Sequence, residues 1–221
     1  MAATINVMHK KVLIFDLGGV VIDLHVDRSF KALAEMGVAP ELLSESGSVV
    51  NDMMTKYDRG DITTDELLDQ MSAFIPVDRC EESGVALRER MLEVWNMMLG
   101  DFSADKLRQL ELLRSKGYRV VMLSNTNEAH WPEIERKFML AAGNPMNVCF
   151  DALYLSYRMR CRKPEPVIFA ALLENEGVAA ADCIFFDDSM VNCEAARAMG
   201  IEAVLVERNA PWNNALMDSL L

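Results

Sequence analysis

Followed as a succession of apolar and polar positions, the chain changes period twice. Val12-Leu13-Ile14-Phe15 is a short, partly β-branched run after Lys10-Lys11, and it ends abruptly at Asp16. That pattern predicts a strand buried on both faces with a polar residue at its carboxyl end. Gly18-Gly19 breaks the run and permits a tight turn or close backbone approach, and Val20-Val21-Ile22 continues extended. From Arg28 to Leu99 the pattern predicts helices only. Arg28–Met36 is bounded by Gly37, and Val49–Tyr57 precedes the break Asp58-Arg59-Gly60-Asp61. Thr63 with Glu66 three residues on is a capping box that opens a helix to about Phe74. A long helix from about Cys80 to Met98 then stops at Gly100.

Beyond Gly100 helices and strands alternate. Ser103–Lys116, Glu128–Leu140, Pro164–Glu176 and Asn192–Met199 read as helices, and Tyr118–Leu123, Cys149–Ser156, Cys183–Phe186 and Ile201–Glu207 as strands. With the first run this makes five short strands separated by helices, an α/β fold with a Rossmann-like parallel sheet covered on both faces. Right-handed crossovers place all carboxyl ends of the strands on one edge. The helical stretch leaves from that edge. Residues 1–24 and 101–221 are therefore expected to form the core domain, and 25–100 an inserted helical cap. The methionines of the insert, Met53, Met54, Met71, Met91, Met97 and Met98, read as adaptable core filler.

Composition narrows the class. A chain of 221 residues can bury a full core, and 51% hydrophobic with 25% charged residues excludes the disordered and collagen-like classes. A net charge of −12 without a basic run argues against a nucleic-acid partner. Val12–Leu24 is interrupted by Asp16 and Asp23 and is too short and charged for a bilayer. Met1–Lys11 lacks the pattern of a secretion signal, so a cytoplasmic location is expected. Five cysteines with no CxxC or His-paired spacing read as free thiols of a reducing compartment.

Open α/β sheets bind ligands outside the carboxyl ends of their strands. The sequence places there Asp16, Ser124-Asn125, Lys163 ahead of a helix, and Asp187-Asp188. Each alone reads as a turn, cap or surface residue, and it is their joint occurrence that carries weight. A carboxylate such as Asp16 can attack phosphorus and divide hydrolysis into two displacements. Phosphoryl transfer needs positioning and charge neutralisation, which the Ser124 hydroxyl, the Asn125 backbone or amide and the Lys163 ammonium can supply. Mg²⁺ takes oxygen ligands from one or two carboxylates plus phosphate, as Asp16 with Asp188 would provide. Asp187 beside Asp188 is a costly like-charge pair at an apolar sheet edge unless a cation sits there.

Four segments carry a resemblance. They are Ile14-Phe15-Asp16-Leu17-Gly18-Gly19-Val20, Leu123-Ser124-Asn125-Thr126-Asn127, Arg162-Lys163-Pro164-Glu165-Pro166 and Phe186-Asp187-Asp188-Ser189-Met190-Val191-Asn192. Their order and spacing resemble the haloacid dehalogenase (HAD) superfamily over the whole chain, with the helical insert similar to its cap domain. With Tyr57-Asp58-Arg59-Gly60-Asp61-Ile62 in the insert, the chain looks like the bacterial α-D-glucose-1-phosphatase branch, related to the phosphatase domain of soluble epoxide hydrolase.

The resemblance implies a Mg²⁺-dependent phosphatase of small phosphorylated metabolites acting through an aspartyl-phosphate. It implies Asp16 as nucleophile and metal ligand, the Gly18 carbonyl and Asp188 as further ligands, Asp187 in support, and Ser124, Asn125 and Lys163 on the phosphate. The position of Gly18 usually also bears a second aspartate, the general acid, which is missing here. Its loss would weigh most on poor leaving groups, by about 10²–10⁴-fold. The expectation is thus a preference for anomeric sugar phosphates or other activated esters, or an acid borrowed elsewhere, with Asp23, His25 and His130 as nearby groups. Two alternatives stay open: a haloacid dehalogenase-type hydrolase, and a non-catalytic Mg²⁺/phosphate-binding protein.

Overall fold

The computed structural model describes residues 12–43, 49–76 and 84–212. Strand β1 (Val12–Phe15) is central in a five-stranded parallel sheet with β4 (Arg119–Ser124) and β6 (Cys183–Asp187) beside it, and β5 (Ala152–Leu155) and β7 (Glu202–Leu205) at the edges. All four residues of β1 are buried, as an unbroken apolar run requires between two helical layers. Side chains alternate across the sheet. Leu13 and Phe15 join Val120, Met122 and Phe186 under helices α5 (Ala104–Ser115) and α6 (His130–Ala142). Val12 and Ile14 join Val121, Leu123 and Phe185 under α8 (Pro166–Glu176), with Ala196 of α9 (Met190–Ala198). A short helix, α7 (Ser156–Met159), follows β5 directly.

Four helices build a separate apolar cluster: α1 (Val26–Glu35), α2 (Val49–Asp58), α3 (Thr64–Ser72) and α4 (Val85–Asn96), around Leu33, Met53, Tyr57, Leu67, Met91 and Trp95. The capping box at Thr63 is present in full, with Glu66 N–H donating to the Thr63 hydroxyl and the Glu66 carboxylate accepting from Thr63 N–H. Met53, Met71 and Met91 fill this core, as expected of them.

Two readings at the edge of the helical stretch are corrected. The helix expected to reach Met98 ends at Asn96, and residues Leu99–Phe102 form β3, antiparallel to β2 (Ile22–Leu24). Gly100 lies inside that strand because a Cβ there would stand 2.7 Å from Asp23 Cβ and 2.9 Å from Asp23 O. The glycine signals close approach of two strands, not a helix stop. The expected start at Cys80 lies outside the described residues.

Candidate active site

Sheet register brings the expected residues to one level. Phe15 pairs with Met122 and with Phe186, so Asp16, Ser124 and Asp187 emerge together at the carboxyl edge, and Asp16 N–H donates to Phe186 O at 2.8 Å. Lys163, 1% exposed, reaches this edge from the loop before α8. Its Nζ lies 2.7 Å from Asp16 Oδ1 and 2.7 Å from Asp187 Oδ2. Asn125 fixes that loop, accepting from Lys163 N–H and donating to Lys163 O, both at 2.9 Å. The Asn125 amide is thereby engaged with the lysine backbone, a role that spacing alone does not reveal.

Asp187 accepts from Ser189 N–H at 2.8 Å and from Asn192 Nδ2 at 3.0 and 3.1 Å, so both its oxygens are occupied. Asp16 is different. Leu17 N–H and Lys163 both meet Oδ1, and Oδ2 carries no hydrogen bond among the described residues. Asp188 pairs with Arg208 from the segment after β7. Gly19, at φ +78°, passes directly under this carboxylate, where a Cβ would lie 2.6 Å from Asp188 Oδ2.

Charge at the edge is unbalanced. Burial pushes the Asp16 carboxyl up to about 7; Lys163 pulls it down, while Asp187 and Asp188 push it further up. Burial also opposes the charge of Lys163, but its two carboxylate partners outweigh that and hold its ammonium above the usual lysine range. Asp16, Asp187 and Asp188 each bring a carboxylate oxygen within 4.8 Å of the others. Such an all-oxygen donor set suits a hard divalent cation, which would also return Asp16 to its anionic form. The residues present therefore fit Mg²⁺.

A cavity of about 370 Å³ opens over this edge, lined by Asp16, Gly18, Ser124, Lys163, Asp188 and Arg208 on the sheet side. Across it stand Met54 and Asp58 of α2, with Arg162 beside Lys163. Polar contacts tie the α2–α3 turn to the sheet: Tyr57 Oη accepts from Ala129 N–H at 2.9 Å, Asp58 Oδ1 accepts from Asn127 Nδ2 at 3.0 Å, and Arg162 Nη1 donates to Thr55 Oγ1 at 2.9 Å. Arg59 pairs with Glu165, and Arg160 donates to Gly60 O. Gly60 (φ +72°) permits the contact, since a Cβ would lie 2.5 Å from Tyr157 O.

Of the groups considered in place of an acid at Gly18, His130 lines the cavity, whereas Asp23 in β2 and His25 ahead of α1 do not. Arg208 and Asp58 were missed as site residues. Arg208 follows the last strand in a charged segment without period, and only Asp58's place in the Tyr57–Ile62 motif hinted at it.

An aspartate, a buried lysine and a carboxylate pair meet on the carboxyl edge of a parallel sheet, where open α/β sheets bind their ligands. The chain belongs to the haloacid dehalogenase-like hydrolase family, whose sequence profile matches residues 10–200. It is 29% identical over 213 residues to a D-ribitol-5-phosphate phosphatase of Bacteroides thetaiotaomicron, covering 93% of this chain and 96% of that protein. It is 27% identical over 133 residues to a fructose-1-phosphate phosphatase of Escherichia coli, covering 60% of this chain and 68% of the other. A HAD family enzyme of B. thetaiotaomicron, solved in complex with magnesium and inorganic phosphate, superposes with a TM-score of 0.79 at 29% identity, covering 93% of this chain and 98% of that one. No helix among the described residues is long and apolar enough to cross a membrane.

Proposed function

We propose that the chain is a Mg²⁺-dependent phosphatase of small phosphorylated metabolites, with Asp16 as nucleophile. The observation that carries this reading is Lys163 held between Asp16 and Asp187 at 2.7 Å each, beside a third carboxylate and under a cavity of metabolite size. Asp16 and Asp188, with the Gly18 carbonyl, would hold Mg²⁺, and Asp187 supports them by fixing Lys163. When bound, Mg²⁺ supplies charge neutralisation for the transferring phosphoryl group.

The chain's own residues do the rest. Asp16 Oδ2 attacks phosphorus, the ester P–O bond breaks, and an aspartyl-phosphate forms. Lys163 and the Ser124 hydroxyl hold the phosphoryl oxygens, and Asn125 keeps the Lys163 loop in place. Water then attacks the same phosphorus and releases Asp16. Residues 25–100 act as a cap over the core formed by 1–24 and 101–221; the separate apolar cluster of α1 to α4 supports that division, while Met98 and Leu99 pack into the core cluster.

The relatives hydrolyse, by name, phosphates of ribitol and fructose. These support a sugar or polyol phosphate here, and they extend the expected range from anomeric esters to esters of ordinary alcohols. The four described cysteines are buried, in keeping with a cytoplasmic enzyme. Phosphate release from a panel of sugar, polyol and aryl phosphates, with and without Mg²⁺, tests the reading. Metal-dependent release is expected; silence across the panel from folded, metal-bound protein would refute it.

A further inference from the structure

Hydrolysis of an unactivated ester needs a proton for the leaving oxygen, and Gly18 brings no side chain to donate one. The titratable groups of the cavity narrow the choice. Asp16 is the nucleophile, and Asp188 is paired with Arg208 at the metal site. Lys163 is shared between two carboxylates, and arginines such as Arg162 and Arg208 do not give up a proton. His130 is closed on both sides: Nε2 donates to Trp95 O at 3.2 Å and Nδ1 accepts from Asn127 Nδ2 at 3.1 Å.

Asp58 remains. It lines the same cavity as Asp16, from the carboxyl end of α2 in the helical insert. Its Oδ1 is fixed by Asn127. Its Oδ2 lies 3.7 Å from Arg162 Nη2, beyond hydrogen-bond reach, and has no hydrogen bond among the described residues. One oxygen is thus anchored and the other is open.

Resting on the phosphatase reading, we propose that Asp58 is the proton donor for the leaving group, doing from the helical insert what a side chain at Gly18 would do from the core. As Asp16 attacks phosphorus and the P–O bond breaks, its electron pair stays on the leaving oxygen, which takes the proton from Asp58 Oδ2. The Asp58 carboxylate then accepts a proton from the water that attacks the aspartyl-phosphate, and both carboxyls return to their starting states. Burial raises the Asp58 carboxyl above the usual range, with Arg162 and Asn127 pulling it down. The donor sits on α2, so its place depends on the contacts that tie this helix to the sheet.

The test is the single-turnover rate of phosphoenzyme formation with Mg²⁺, from an aryl phosphate and from the best alkyl phosphate of the panel. Asp58→Asn should lower the alkyl rate by about 10²-fold or more beyond any change in the aryl rate, and Asp58→Glu should recover part of that difference. Equal losses in both arms would make Asp58 only a fastener of the insert, and an unchanged alkyl rate would also overturn the proposal. A second measurement needs no variant. Wild-type kcat/KM should depend weakly on leaving-group basicity, and a steep dependence would exclude a donor. No phosphoenzyme from either ester in the wild type would be a failure of the phosphatase reading itself, and this inference would fall with it.

Discussion

His130 donates from Nε2 to Trp95 O and accepts at Nδ1 from Asn127 Nδ2, so a neutral ring satisfies both neighbours while a charged ring would set two donors against each other. Burial lowers its pKa from 6.5 to about 4, against a small upward pull from the Trp95 carbonyl. The sign follows from linkage. The unfolded chain binds the proton near 6.5 and the folded chain only near 4, so the stability is complete above pH 6.5 and is lost as pH falls towards 4. The shift corresponds to about 3 kcal/mol. Denaturant midpoints followed across that window should fall more steeply in wild type than in His130→Gln; parallel curves would contradict a buried neutral histidine. At this scale Asp16, Asp187 and Asp188 were legible because each ends an apolar run, where a carboxylate has no packing reason to be. Asp58 and Arg162 were not, because their chemistry depends on a tertiary meeting of α2 with the loop before α8.

Among the elements, the β2–β3 pair is where the chain passes to and from the helical insert, and its pairing was missed. Leu99-Gly100-Asp101-Phe102 contains two residues that strands disfavour, and its pairing with β2 is irregular, so neither propensity nor period marks it. The strands of the parallel sheet and the Thr63 capping box, by contrast, carry local signals that survive packing. Asn209 locks the pair from outside: its Oδ1 accepts from Leu24 N–H at 2.8 Å and its Nδ2 donates to Leu24 O at 3.0 Å. Each bond contributes about 1 kcal/mol. Asn209→Ala should therefore speed amide exchange at Leu24 and raise KM by loosening the insert's attachment. Exchange at wild-type rates would show that the strand pair holds itself.

In the whole molecule, two apolar clusters grip the sheet and a third belongs to the helical insert, with the cavity at the seam. Alternation of strand and helix sufficed to foresee the doubly covered sheet. It left open which groups of the insert face the edge, because that depends on how two separately packed bodies meet. The last described residues close the sheet from behind, with Trp212 stacked on Phe15 at 5.0 Å and Phe15 on Phe186 at 4.6 Å. In the mechanism proposed above, Asp16 itself takes the phosphoryl group. Acid quench during turnover with Mg²⁺, borohydride reduction and peptide mapping should find the reduced residue at position 16, absent from Asp16→Asn. A phosphoryl group on another residue, or steady phosphate release from Asp16→Asn, would contradict the account.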